Sequence, residues 1–201
     1  MTDEMTLARA RKGDPAAFEA LVTPHEQMLW RVCWRMLGEA EEARDALQET
    51  MVKAWRNLPS FQGGGLVSWL YTIAVHTCQD MLRKRKARPA VSLDSLSEEG
   101  YDPPAREEGP AEALEHSDRR EAVHRALAML PEDQRVPLVL FAAEGKRYEE
   151  IAAITGLPLG TVKSRVSRAR DRLRALLETF AQAGNNSGEA ASNTVKGGRK
   201  P

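Results

Sequence analysis

A polar stretch near the middle of the chain sets the strongest limit on what the rest can fold into. From Pro89 to Asp118 nine acidic residues meet a single base, Arg106, and four prolines break any apolar periodicity. Such a segment cannot bury enough surface to offset the entropy lost on ordering it. It reads as an acidic flexible linker over residues 89–118, with a helical block on either side. A chain of 201 residues has room for two small domains arranged this way. Only 5% of the residues are aromatic, so each core must rest on Leu, Val, Ile, Ala and Met. Acids and bases cancel at 29 each, so any affinity for a charged partner must come from where the charges lie.

The first block, residues 5–88, carries consecutive helical patterns. Asp14-Pro15 is an N-cap followed by proline at the first helical position, and Phe18, Leu21 and Val22 start an apolar stripe. Pro24 is expected to break or kink this run before Leu29, Val32, Cys33, Met36 and Leu37 resume it, with Gly38 as the stop. Ala43, Leu47, Met51, Ala54 and Leu58 then recur at spacings of four, four, three and four, the mark of an amphipathic helix that Pro59 ends. The loop Phe61-Gln62-Gly63-Gly64-Gly65 follows. A last helix carries Leu66, Leu70, Ile73, Ala74, Thr77, Cys78 and Met81 into the basic run Arg83–Arg88.

The second block, residues 119–180, opens with Val123, Leu127 and Leu130 on one helix face and continues through the apolar run Val136–Phe141. Tyr148–Val162 then fits a helix-turn-helix. Ala152 is the small residue where two helices cross, Gly156 tolerates the left-handed turn, and Val162 docks the second helix back. In that second helix Val162, Val166, Ala169, Leu173 and Leu176 form an inward seam at spacings of four, three, four and three. From Thr161 to Leu176 six bases stand against one acid, Asp171. Guanidinium forks and small hydroxyls on one face suit a helix lying in a DNA major groove. Thr161, Lys163, Ser164, Arg165, Ser167, Arg168 and Arg172 are the residues placed to reach DNA. Residues 181–201, rich in Gly, Asn and Ser, read as a disordered tail. No strand-period segment stands out, so the fold class is all-α.

Cys33 and Cys78 lie in apolar-periodic segments and read as reduced, buried thiols. His76 and Cys78 are two residues apart on a helix and diverge around its axis, so no metal site is expected there, and no cofactor motif occurs. No signal-peptide core or membrane-length apolar run is present, so a cytoplasmic protein without membrane insertion is expected. Motifs for phosphate-loop, zinc-hydrolase and serine-hydrolase chemistry are absent, so no enzyme is expected.

The first block adds a second pattern. Asp45-Ala46-Leu47-Gln48-Glu49-Thr50 leads to Ala54-Trp55, then to the Phe61–Gly65 loop, then to Trp69-Leu70-Tyr71-Thr72-Ile73-Ala74. This resembles region 2 of the sigma-70 family as its extracytoplasmic-function (ECF) members carry it. Residues 119–180, with Leu130-Pro131-Glu132 and Gly160-Thr161-Val162-Lys163-Ser164-Arg165, resemble region 4. The resemblance spans roughly residues 5–178 and implies a sigma factor: a non-enzymatic subunit that binds core RNA polymerase and directs it to promoters.

It also implies roles for residues. Asp45, Gln48, Glu49, Val52 and Arg56, opposite the apolar stripe of their helix, would dock on the clamp coiled coil of the polymerase β′ subunit, with further contacts to β. Phe61, Gln62 and Gly63 would accept a base flipped from the melting −10 strand, since glycine allows close approach and aromatics stack on bases. Tyr71, Thr72, His76, Gln79, Arg83 and Lys84 would face the −10 DNA, and the recognition helix the −35 element. Relatives often carry Asn where His76 stands, and imidazole offers a different hydrogen-bond pattern. Trp55 and Trp69 read as core. The acidic linker would thread the channel that later holds nascent RNA. Many relatives are held inactive by an anti-sigma protein, which the residues here leave open. The competing reading is a two-domain helix-turn-helix regulator that binds DNA without polymerase; it accounts for the second block and leaves the first unexplained.

Overall fold

The computed structural model describes residues 4–87 and 110–194, with side chains for residues 4–86 and 119–183. Eight α-helices make up the described chain: α1 (Glu4–Arg11), α2 (Pro15–Leu37), α3 (Ala40–Asn57), α4 (Leu66–Ala87), α5 (Pro110–Ala128), α6 (Glu132–Ala142), α7 (Tyr148–Thr155) and α8 (Leu159–Thr194). A 3-10 turn, Leu58–Ser60, closes α3. None of the described helices is long and apolar enough to cross a membrane.

Local signals set most helix ends. The Asp14 carboxylate accepts from the Ala17 amide at 3.2 Å, and Pro15 opens α2. That contact holds the Asp14 carboxyl below its usual range, with the Arg9 guanidinium helping. Gly38 takes the left-handed conformation (φ 93°) that ends α2. Three expectations differ. Pro24 does not break α2, which runs through it from Pro15 to Leu37; packing of Leu21, Val22 and Leu29 on both sides outweighs one lost backbone bond. Helix α5 begins at Pro110, inside the stretch read as linker. Proline suits a first helical position, and the Ala-Glu-Ala-Leu that follows favours helix. Helix α8 runs on to Thr194, into the stretch read as disordered tail, because extending an existing helix costs far less than nucleating one. The body of the linker, residues 89–109, lies outside the described residues.

Helices α1–α4 pack as one bundle and α5–α8 as a second. In the first, α3 turns Ala43, Ala46, Thr50 and Ala54 inward, all fully buried, and these small side chains let α2 and α4 approach closely. Thr50 satisfies its hydroxyl on the Ala46 carbonyl at 2.6 Å. Leu47 and Met51 are half-buried, so the seam is rotated slightly from the one the large apolar residues trace. Cys33 and Cys78 are free, fully buried thiols on α2 and α4. The Cys33 sulfur beside it, and then burial, push the Cys78 thiol up.

The two bundles also pack on each other, α2 against α5 and α6, and α4 against α7. Arg135 is central to this interface. It is 8% exposed, and its guanidinium donates to the Met36 carbonyl of α2 and to the Ala128 and Leu130 carbonyls, the latter two at 2.6 and 2.9 Å. Met36 and Ala128 lie in the last turns of α2 and α5, where helix carbonyls lack intrahelical partners. One cation thus caps two helix ends from different bundles. Burial lowers its pKa from the ordinary guanidinium value, with Glu132 opposing.

Candidate nucleic-acid interface

The helix-turn-helix forms on α7 and α8. Glu150 accepts from the Arg147 amide at 2.9 Å and closes the start of α7; that backbone contact first, and the Arg147 side chain after it, lower its pKa. Gly156 sits at φ 68° in the turn, where a side chain would be strained. Val162, Val166 and Ala169 are fully buried, and Leu173 and Leu176 pack against the same core, as the seam requires. This presents Lys163, Ser164, Ser167, Arg168 and Arg172 to solvent and leaves Thr161 and Arg165 half-exposed. Arg165 lies 3.6 Å from Asp133 of α6, and Arg168 donates to the Ser164 carbonyl at 3.2 Å. Arg170 turns instead onto the Phe141 ring at 4.5 Å, and Lys163 lies 6.0 Å from the Tyr148 ring centroid.

On α3, Asp45, Gln48, Glu49, Val52 and Arg56 are all exposed along the side opposite Ala43, Ala46 and Ala54. Lys53 ties this helix to α4, donating to the Thr77 hydroxyl at 3.2 Å and lying 3.7 Å from Glu49 and 3.8 Å from Asp80.

The α3–α4 loop departs from expectation at Phe61. Its side chain is buried, its ring lies 4.9 Å from that of Trp69, and its carbonyl accepts from Arg11. The ring anchors the loop rather than standing ready to stack on a base. Gln62 and Gly63 are exposed. Trp69 is half-buried against the core, and Trp55, also half-buried, lies edge-on to Phe18 at 5.1 Å.

Along α4, His76, Arg83 and Lys84 are exposed, and Thr72 and Gln79 half-exposed. The Thr72 hydroxyl donates to the Ser68 carbonyl at 3.0 Å, and Arg83 pairs with Asp80. Tyr71 is not on this open face. It is 1% exposed, covered by the α6–α7 loop of the second bundle. Its hydroxyl donates to Glu144 at 2.8 Å, and Lys146 lies 4.5 Å from its ring centroid. Burial first, then Glu144, push the phenol far above its ordinary pKa, so it stays a proton donor. Within the basic run, Arg85 pairs with Glu42 at 3.3 Å and Lys86 with Glu132 at 3.2 Å. The residues that cover Tyr71 carry no motif. Glu144 sits in a short polar loop, and Arg135 shows only as a lone cation beside an apolar run.

Two family models match the chain: Sigma-70 region 2 over residues 21–88 and Sigma-70, region 4 over residues 120–173. The RNA polymerase sigma-H factor of Pseudomonas aeruginosa is 34% identical over 181 residues, 88% of this chain and 94% of that protein. The ECF RNA polymerase sigma-E factor of Escherichia coli (strain K12) is 35% identical over 178 residues, 86% of this chain and 93% of its own length. Among solved structures, the sigma factor RpoE in complex with the anti-sigma factor NepR from Bartonella quintana aligns with a TM-score of 0.65 at 32% identity, covering 80% of this chain and 96% of that one. CnrH in complex with the cytosolic domain of CnrY aligns with a TM-score of 0.64 at 27% identity, covering 89% of this chain and 99% of its own.

Proposed function

This chain belongs to the sigma-70 family as an ECF RNA polymerase sigma factor, and we propose how its surfaces divide the work of initiation. The factor directs core polymerase to promoters; nucleotidyl transfer belongs to the polymerase, and this chain contributes recognition and strand opening in the cytoplasm. A DNA-binding regulator acting without polymerase would leave residues 21–88 without a role, and those residues match region 2.

The exposed side of α3, Asp45, Gln48, Glu49, Val52 and Arg56, docks on the β′ clamp. This is the observation that carries the reading: five residues that the family resemblance assigns to one contact all lie open on one helix face. The outer side of α8, led by half-exposed Arg165 and exposed Arg168, reads the −35 element, and the β subunit takes further contacts. The α3–α4 loop, through Gln62 and Gly63, and the α4 face, through Thr72, His76, Gln79, Arg83 and Lys84, meet the −10 strand. Tyr71 joins them once the α6–α7 loop has moved away. The structural relatives were solved with an anti-sigma factor or with the cytosolic domain of CnrY bound; by that likeness an anti-sigma protein controls this chain as well. Sequencing RNA start sites made by core polymerase with and without the factor tests the whole reading. Start sites that appear only with the factor and share −10 and −35 elements support it, and unchanged start sites remove it.

A further inference from the structure

Glu144 in the α6–α7 loop places one carboxylate between two donors of the first bundle. Its two oxygens accept from the Arg35 guanidinium at 2.7 Å and from the Tyr71 hydroxyl at 2.8 Å. The Glu144 side chain is 6% exposed, so solvent competes little for these bonds. Arg31 adds a second cation whose charge reaches the Tyr71 hydroxyl. The Arg35 guanidinium and the Tyr71 phenol, on α2 and α4, therefore form an anion site, filled from within the chain. Guanidinium and hydroxyl donors are the groups that hold nucleic-acid phosphates, and a phosphate oxygen can stand where a carboxylate oxygen stands. The site also lies on the helix that carries Thr72, His76, Gln79 and Arg83.

We propose that Arg35 and Tyr71 bind a backbone phosphate of the −10 promoter strand, and that Glu144 occupies this site as an internal competitor while the two bundles are packed together. This rests on the reading of α4 as the −10-facing helix. DNA and the loop then exclude one another: DNA binds only the separated arrangement, and each contact that holds Glu144 in place weakens the apparent affinity for DNA.

The test uses the full chain, donor and acceptor dyes on the two bundles, and a single-stranded oligonucleotide carrying the −10 segment of a promoter mapped with core polymerase. Glu144→Gln keeps shape but removes the charge. It is expected to separate the bundles and tighten oligonucleotide binding about tenfold. Arg35→Gln is expected to separate them without tightening binding. The double variant Glu144→Gln/Arg35→Gln is expected to bind about fivefold more weakly than Glu144→Gln alone. Two results overturn the proposal: open bundles in Glu144→Gln at wild-type affinity, or a double variant that binds as tightly as Glu144→Gln. Tyr71→Phe, which keeps the ring in the core, serves if either charge variant misfolds. It is expected to loosen the bundles without tightening oligonucleotide binding, as Arg35→Gln does; an opened Tyr71→Phe variant that binds about tenfold more tightly than the wild type overturns the proposal. Promoter-specific transcription by the wild-type factor with core polymerase is measured alongside. Its absence removes the sigma-factor reading; its presence with a flat Glu144→Gln response removes only the internal competitor.

Discussion

Trp34 of α2 and His124 of α5 lie face to face across the two bundles, their ring centroids 3.9 Å apart and their planes within 13° of parallel. One His124 ring nitrogen, Nε2, lies 3.0 Å from the Gly38 carbonyl, and the other, Nδ1, is buried without a partner. Burial is the main cause that lowers the His124 pKa; the nearby Arg135 and Arg35 charges add to it, while the Gly38 carbonyl and Glu121 oppose it. The imidazole therefore stays neutral in the packed arrangement and donates from Nε2 to Gly38.

A pH dependence follows with a definite sign. In the separated arrangement His124 is solvated and takes up a proton near its ordinary value of about 6.5; in the packed one it resists protonation. The separated form binds more protons between the two values, so packing is fully present above the ordinary value and is lost as pH falls through the lowered one. Energy transfer between dyes on the two bundles is expected to drop as the pH falls below about 6.5, the ordinary imidazole value. The same titration of His124→Gln is expected to be flat, and an equal drop in both proteins removes the assignment.

Reversing charge on α3 is expected to separate polymerase binding from folding. Asp45 and Glu49 are exposed and lie off the buried seam, so Asp45→Lys/Glu49→Lys is expected to shift stability by only about half a kcal/mol. Binding to core polymerase is expected to be abolished. A folded double variant that still binds core at wild-type strength would end the docking assignment.

The recognition helix is expected to divide into reading and anchoring positions. Arg165→Ala or Arg168→Ala, near its N-terminal half, is expected to cost about 1–3 kcal/mol and relax preference at one −35 position. Arg172→Ala, further along, is expected to weaken binding evenly across sequences and flatten the salt dependence. Binding measured across single-base variants of the −35 element distinguishes them; losses that are equal and blind to sequence at all three positions reduce α8 to a phosphate clamp.

Arg135 is expected to be the most sensitive position at the bundle interface. Arg135→Met fills similar volume but leaves the Met36, Ala128 and Leu130 carbonyls without their donor. The cost is expected to be about 3 kcal/mol, appropriate to breaking buried charge-assisted bonds. Thermal unfolding of the full chain checks this, and a shift within the range of ordinary surface substitutions would count against the capping role.

Much of the local structure was legible because its causes are local. Asp14-Pro15, Gly38, Pro59 and Gly156 mark ends through side-chain and backbone preferences that act within a few residues, and the seam of α8 follows from its spacing. Pro24 shows where such rules give way: helix-breaking is a local tendency, and packing along the whole length of α2 overrode it.

The sequence by itself determined an all-α chain of two helical bundles, the helix-turn-helix, and which sides of α3 and α8 stay polar and open. Only the tertiary structure decided that the bundles pack together, that Phe61 anchors a loop from the core, and that Tyr71 is covered. Glu144 meets Tyr71 across 73 residues of sequence and Arg35 across 109, and Arg135 meets Met36 across 99. Periodicity reports which face of a helix is buried; it carries no information about which distant carboxylate will find a given guanidinium, because that depends on how whole faces fit in space.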